Sequence, residues 1–92
     1  MKIVYKESFI SRFENQLEYI SLDSPSRARK FKDELLKRIA KAKRNPMQFR
    51  KSVYFDDQNI RDLIFKGYTI VFRINQDTIE VFGFLKFQKF PT

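Results

Sequence analysis

Isolated basic residues interrupt an apolar and aromatic stretch over the last third of the chain, from Asn59 to Phe90. Among them are Arg61, Arg73, Lys86 and Lys89. Cations at separate strand positions can bind anionic groups such as phosphates. The chain has no histidine, which removes the usual general base near neutral pH. Acid–base catalysis would therefore fall to Lys, Tyr, Asp or Glu side chains with shifted pKa values. The pattern predicts a basic surface more readily than a catalytic centre.

The composition predicts one small domain that covers residues 1–92. Of the 92 residues 42% are hydrophobic, and 11 are Phe, so a single modest core can form without covalent cross-links. Cysteine is absent, which excludes disulfides and thiolate metal sites, and we expect no metal and no cofactor. The N-terminal residues predict neither a signal peptide nor a membrane span. We therefore expect a soluble, cytoplasmic protein.

The net charge of +8 is concentrated in one segment. Residues 24–51 contain eleven basic and two acidic side chains. Such a segment suits an acidic partner, either nucleic acid or an acidic protein. The alternative is a solvated helix face that binds nothing.

Two amphipathic helices are predicted between a short first strand, residues 2–5, and the last third of the chain. The first begins near Ser8, a plausible N-cap, and presents Phe9, Phe13, Leu17 and Ile20 on one face. The second follows Ser24, a candidate N-cap, and Pro25, and ends at Asn45-Pro46. Its apolar face comprises Ala28, Phe31, Leu35, Ile39 and Ala42. The two helices should form a hairpin that covers a common surface.

Three strands are predicted over residues 60–65, 68–74 and 78–87, with a short extended piece at residues 53–55. The turns between the three strands, at Lys66-Gly67 and Asn75-Gln76-Asp77, are too short for crossovers, so the pairing is predicted to be antiparallel. The predicted fold is α+β, with the helical hairpin on one face of a small antiparallel sheet and the order β-α-α-β-β-β.

Both faces of the last predicted strand carry apolar residues. Strict alternation places Ile79, Val81, Leu85 and Phe87 on one face, and Glu80, Phe82, Phe84 and Lys86 on the other. Only one face can be covered by the helices. Either the chain folds its own loop and tail over Phe82 and Phe84, or this surface awaits a partner segment.

Two strand motifs give the chain a resemblance to the RelE/ParE superfamily of toxins from type II toxin–antitoxin systems, closer to its ParE-like branch. One is Arg-x-Leu, here Arg61 and Leu63; the other is Tyr68 followed by the pair Phe72-Arg73. The helical hairpin adds Ser24-Pro25, Ala28, Phe31 and Asn45-Pro46. The resemblance covers nearly the whole chain and agrees with the predicted element order.

The resemblance implies a toxin that a cognate antitoxin neutralises by wrapping an extended or helical segment around it. The residues assigned to the antitoxin are Phe82, Phe84, Phe87, Arg38 and Lys41. Those assigned to the target or to nucleic acid are Arg61, Arg73, Lys86, Lys89 and Lys51. The target would be DNA gyrase for a ParE-like protein, without catalysis by the toxin, or messenger RNA on the ribosome for a RelE-like endoribonuclease.

The catalytic alternative needs a base, an acid and cations around the scissile phosphate. Arg61, Arg73 and Lys89 can supply the cations if they share a face, whereas Tyr54, Tyr68 or a lysine of lowered pKa would have to act as the base. The chain departs from RelE-like nucleases at Thr69, where they often carry Arg. The remaining alternatives are a nucleic-acid-binding module that uses the basic helix, and a structural role for Arg61 and Arg73 in ion pairs with Asp62, Asp77 or Glu80.

Overall fold

The computed structural model describes residues 1–86, and it confirms the predicted α+β fold. The elements in chain order are β1 (Lys2–Tyr5), α1 (Glu7–Asp23), α2 (Pro25–Ala42), a 3₁₀ turn (Pro46–Gln48), β2 (Arg50–Lys51), β3 (Ile60–Phe65), β4 (Tyr68–Asn75) and β5 (Thr78–Lys86). The extended piece predicted at residues 53–55 is wrong, since the short strand that precedes β3 is Arg50–Lys51. Phe87 and Lys89, which the sequence analysis singled out, lie outside the described residues.

The sheet contains five strands in the order β1-β5-β4-β3-β2. The pairs β2–β3, β3–β4 and β4–β5 are antiparallel, as the short turns predict. The sheet is nevertheless mixed, because β1 pairs with β5 in the parallel direction. Parallel neighbours need a long connection, and here the chain between them includes the helical hairpin.

The ends of the helices follow the sequence signals in part. Ser24 caps α2, since its Oγ accepts a hydrogen bond from the Arg27 N–H at 3.2 Å, and Pro25 opens the helix. Ser8 is not an N-cap: α1 begins at Glu7, and the Ser8 hydroxyl instead donates to the Phe82 carbonyl at 2.7 Å. The second helix ends at Ala42, earlier than the predicted stop at Asn45-Pro46.

The core lies between the helical hairpin and one face of the sheet. The helices contribute the stripes that their spacing predicts, chiefly Phe9, Phe13, Phe31, Leu35 and Ile39. The facing side chains of the sheet are Leu63, Phe65, Tyr68, Ile70, Phe72, Ile79, Val81 and Phe84. We call the opposite side of the sheet the open face, because neither helix covers it.

A β-bulge in β5 reverses the side-chain alternation predicted for that strand. Val71 pairs with Gly83 whereas the next residue, Phe72, pairs with Val81, so Phe82 has no opposite partner. One extra residue shifts every later side chain to the other face. The placement predicted for Phe84 is therefore wrong: Phe84 is only 6% exposed and stacks on Tyr68, with ring centroids 4.9 Å apart, in the helix-side core. Phe82 stays on the open face.

We expect Gly83→Ala to destabilise the fold by about 1–3 kcal/mol, the usual cost of overpacking a core. A Cβ at position 83 would lie 2.8 Å from the Val71 Cβ and 3.0 Å from its Cγ2. Urea unfolding of the single variants and of the double variant with Val71→Ala measures this cost. The Gly83→Ala cost should shrink only in part in the Val71→Ala background, because alanine removes the Cγ2 contact at 3.0 Å and keeps the Cβ contact at 2.8 Å. An unchanged stability of the single variant Gly83→Ala would contradict the proposed contact.

Candidate protein-binding surfaces

Arg61 and Arg73 lie on opposite faces of the sheet. The cross-strand partner of Arg61 is Phe72, a core residue on the helix side, whereas Arg73 pairs with Ile60 and Glu80 on the open face. Directly opposed residues in a sheet point to the same side. A joint phosphate site requires these two arginines on the same face of the sheet. The structure does not meet that condition.

Arg61 fastens the connection that follows α2 to the start of β3. Its guanidinium donates from Nε to the Gln58 carbonyl at 2.9 Å and from Nη1 to the Phe49 carbonyl at 3.0 Å, with a longer contact to the Met47 carbonyl at 3.4 Å. Leu63, two residues on, is fully buried in the core. The Arg-x-Leu motif thus has a structural explanation in this chain, one residue holding the connection and the other filling the core.

The ion pairs predicted for the two arginines are also wrong within residues 1–86. The carboxylate of Asp62, which is fully buried, forms an ion pair with Arg50 at 3.2 Å and accepts a hydrogen bond from the Val53 N–H at 3.1 Å. Glu80 pairs with Lys6 at 3.7 Å. Asp62 is therefore an anchor for β2 and for the start of the loop that follows it.

That loop presents three consecutive apolar side chains, and we call Val53, Tyr54 and Phe55 the aromatic loop. The Phe55 ring meets the Phe82 ring edge to face, with centroids 5.5 Å apart, and the Arg73 Cζ lies 5.7 Å from the centroid of Phe82. The chain's own loop thus covers part of Phe82. Even so, Val53 remains 66%, Tyr54 48% and Phe55 42% exposed.

Charges beside the aromatic loop are largely compensated. Arg50 is bound to Asp62, and Lys51, a predicted target contact, pairs with Asp56 at 3.2 Å. Exposed aromatic surface with few free cations suits a protein partner better than a phosphate backbone, which requires uncompensated Lys and Arg. Arg73 is the exception, since its cation lies against an aromatic ring and makes no ion pair within residues 1–86.

Tyr68 is poorly placed to act as a base. Its ring packs in the core against Phe31 and Phe84, and burial raises the pKa of its hydroxyl, with Tyr19 as a lesser cause. A phenol with a raised pKa stays protonated at neutral pH. Lys86 pairs with Tyr68 across the sheet and so lies on the helix side, away from Arg73. The candidates for catalysis within residues 1–86 are therefore dispersed over two faces.

A basic groove runs between α2 and the outer edge of β3. The groove encloses about 380 Å³ and is lined by Glu34, Lys37, Arg38, Lys41, Phe65 and Lys66. Lys66 and Lys30 both pair with Glu34, and the hydrogen bond from Lys66 is the main cause that lowers the pKa of the Glu34 carboxyl. Lys37, Arg38 and Lys41 have no such carboxylate partner within residues 1–86. The structure thus brings the predicted pair Arg38 and Lys41 together in one cationic groove, which we call the α2 groove.

Sequence reasoning missed the aromatic loop as a surface element. The loop lies in residues 47–58, for which the sequence predicts no regular element beyond the short extended piece, since the apolar residues there are too few to show a period. The usable signal was the run Val53-Tyr54-Phe55 between charged neighbours. Three large apolar side chains in a connection without regular structure are either buried or available to bind a partner.

The fold and surfaces together define a small, basic α+β protein with an aromatic surface on the sheet and a cationic groove beside its second helix. No helix within residues 1–86 is long and apolar enough to cross a membrane. Residues 3–87 match the family model described as the ParE toxin of the type II toxin–antitoxin system parDE. The chain belongs to this family within the RelE/ParE superfamily, and the family implies an antitoxin as partner. A comparison with curated proteins gives no match.

Arg61→Ala should lower the free energy of unfolding by about 1 kcal/mol, because the Gln58 and Phe49 carbonyls, which are exposed or half-buried, lose a charged donor. Arg73→Ala, the matched control on the other face, should change it by less than about 0.5 kcal/mol. Urea denaturation of both variants measures the difference. Equal effects of the two substitutions would contradict the structural role given to Arg61.

Proposed function

We propose that this toxin arrests growth by binding DNA gyrase in the cytoplasm, without catalysing a reaction of its own. The observation that carries the proposal is the separation of Arg61 and Tyr68 from Arg73 on opposite faces of the sheet. A nuclease needs its cations and its base around one phosphate. An inhibitor needs only a complementary surface that holds the target enzyme in one state.

The aromatic loop together with Phe82 and Arg73 is the surface proposed for the target. Exposed aromatic side chains and arginine are the residue types that dominate binding energy at protein interfaces. Phe55 rests on Phe82, which restricts its ring before binding and so lowers the entropy lost on association. Tyr54 and Val53 extend the same surface outward from the sheet.

The α2 groove is the surface proposed for the antitoxin. Lys37, Arg38 and Lys41 concentrate positive charge and form no ion pair within residues 1–86, and Glu34, the carboxylate of the groove, is already paired with Lys66 and Lys30. An acidic antitoxin segment would be attracted to this charge, and its association rate would fall as salt increases. Phe82, which the sequence analysis assigned to the antitoxin, contacts Phe55 and Arg73, and we include it in the target surface for that reason. Phe84 is buried in the core.

Purified toxin added to gyrase and plasmid DNA should inhibit supercoiling and accumulate DNA broken in both strands. Phe55→Ala and Arg73→Ala should each raise the toxin concentration needed by about 30-fold, since truncating a central interface residue costs about 2 kcal/mol. Tyr19→Ala is the matched control, because Tyr19 is an exposed aromatic residue on α1 and belongs to neither proposed surface.

Unchanged supercoiling, together with cutting of messenger RNA in the A site of programmed ribosomes, would refute the gyrase proposal. Full inhibition by the Phe55→Ala and Arg73→Ala variants would refute the assigned surface while leaving the target intact. Circular dichroism of each variant establishes that loss of inhibition does not reflect loss of fold.

A further inference from the structure

An open cavity lies between α1 and the adjoining ends of β4 and β5. It encloses about 340 Å³, near the lower end of the range for clefts that bind small ligands. The helix lines it with Arg12, Asn15, Gln16 and Tyr19, whose spacing of three and four residues places them on one face of α1. None of these residues belongs to the surfaces proposed for gyrase and for the antitoxin.

The sheet supplies a closely packed aromatic floor. Tyr68 and Phe84 are both buried, and their rings stack with centroids 4.9 Å apart. Phe9 and Phe13 contact Phe84 from the core, with ring centroids 5.9 and 5.7 Å away. Lys86, the cross-strand neighbour of Tyr68, completes the lining. We call the site formed by Tyr68, Phe84, Lys86 and the four residues of α1 the α1 cavity.

The polar groups of the α1 cavity have few partners of their own. Within residues 1–86, Arg12 and Lys86 form no ion pair, and the side chains of Asn15 and Gln16 form no hydrogen bond. No carboxylate side chain in that part of the chain lines the cavity. Burial raises the pKa of the Tyr68 hydroxyl, so this group stays protonated and can donate at neutral pH. The cavity therefore presents several unopposed donors to an anion.

Tyr19 adds an aromatic surface beside these donors. Its ring is 70% exposed, although it lines the same cavity. Exposed aromatic rings stack on nucleobases, and arginine and lysine bind phosphate. Carboxamides both donate and accept hydrogen bonds, which suits the edge of a base or the hydroxyls of a sugar. A ligand that uses all three kinds of side chain carries an anionic group, a planar ring and polar edges, as a nucleotide does.

We propose that the α1 cavity binds a nucleoside monophosphate unit, either as a free nucleotide or as the phosphorylated end of a nucleic-acid strand. The two cations and the Tyr68 hydroxyl donate to the phosphate. The Tyr19 ring stacks on the base, and the two carboxamides bind the base edge or the sugar. The inference goes beyond the proposed function, because it concerns a third surface and requires neither gyrase nor an antitoxin.

The test titrates the full, isotopically labelled chain with adenosine 5′-monophosphate at low salt and follows it by nuclear magnetic resonance. The side-chain amide signals of Asn15 and Gln16 should shift as the nucleotide binds. Ribose 5-phosphate and inorganic phosphate should bind at least about fivefold more weakly, because they lack the stacked base.

Three variants assign the contacts, and every substituted side chain in them is exposed. Arg12→Gln with Lys86→Gln should weaken nucleotide binding by at least about tenfold. The matched control is Lys37→Gln with Lys41→Gln, which makes the same charge change in the α2 groove and should weaken it by less than about twofold. Tyr19→Ala should weaken binding of the nucleotide by about fivefold or more and leave that of ribose 5-phosphate unchanged.

A single-stranded tetranucleotide with a 5′-phosphate distinguishes the two sources of the ligand. Binding of the strand at least as tight as that of the free nucleotide identifies a nucleic-acid end, whereas weaker binding identifies the free nucleotide. Either result supports the site, because both ligands carry the same phosphate, sugar and base.

Four results would overturn the inference. They are no shift of the cavity signals up to about 5 mM nucleotide, a concentration that reveals a millimolar Kd, equal binding of nucleotide and inorganic phosphate, equal weakening by the two charge-removing pairs, or no effect of Tyr19→Ala. The titrations contain no gyrase, so failure of this inference is distinguishable from failure of the proposed function.

Discussion

The extra residue in β5 decides which side chains this small sheet buries and which it presents. With Phe82 left unpaired between Val81 and Gly83, the strand can place Ile79, Val81 and Phe84 all in the core although their spacing is not uniform. The bulge is fixed from both sides. The Ser8 hydroxyl at the start of α1 binds the Phe82 carbonyl, and Gly83 permits close approach to Val71. Phe82 is thereby held on the open face, where it supports both Phe55 and Arg73.

The arginines and lysines of the chain divide into structural and available groups. Arg61 and Arg50 are engaged by backbone carbonyls and by the buried Asp62 carboxylate, respectively. Removing Arg50 would leave the buried Asp62 carboxylate without its cation, which is costly, and removing Arg61 would release the connection from the start of β3. Arg73, Lys37 and Lys41 carry no comparable contact within residues 1–86, whereas Arg38 donates to the Ile64 carbonyl and Lys66 pairs with Glu34. The net charge alone therefore says little about function, because some of the basic side chains stabilise the fold and are not available to a partner.

The sequence predicted the helices and the three long strands well, because each has a regular period. The spacing of Phe9, Phe13, Phe31 and Leu35 identified the buried helix faces, and the apolar runs identified β3 to β5. The errors come from features without a period. A bulge reverses the side-chain alternation at Phe84. The parallel pairing of β1 with β5 joins parts of the chain that are distant in sequence. The face on which Arg61 lies depends on its pairing with Phe72. Arg38 and Lys41 share one groove, as their spacing on a helix predicts, and their assignment to the antitoxin stays a prediction.

Asp62 connects the sheet to the aromatic loop. Its buried carboxylate pairs with Arg50 of β2 and accepts a hydrogen bond from the Val53 N–H at the start of the loop. Leaving this carboxylate buried without Arg50 would cost several kcal/mol. The loop is thus held to β3 by one buried side chain, which fixes its start while Val53, Tyr54 and Phe55 stay exposed.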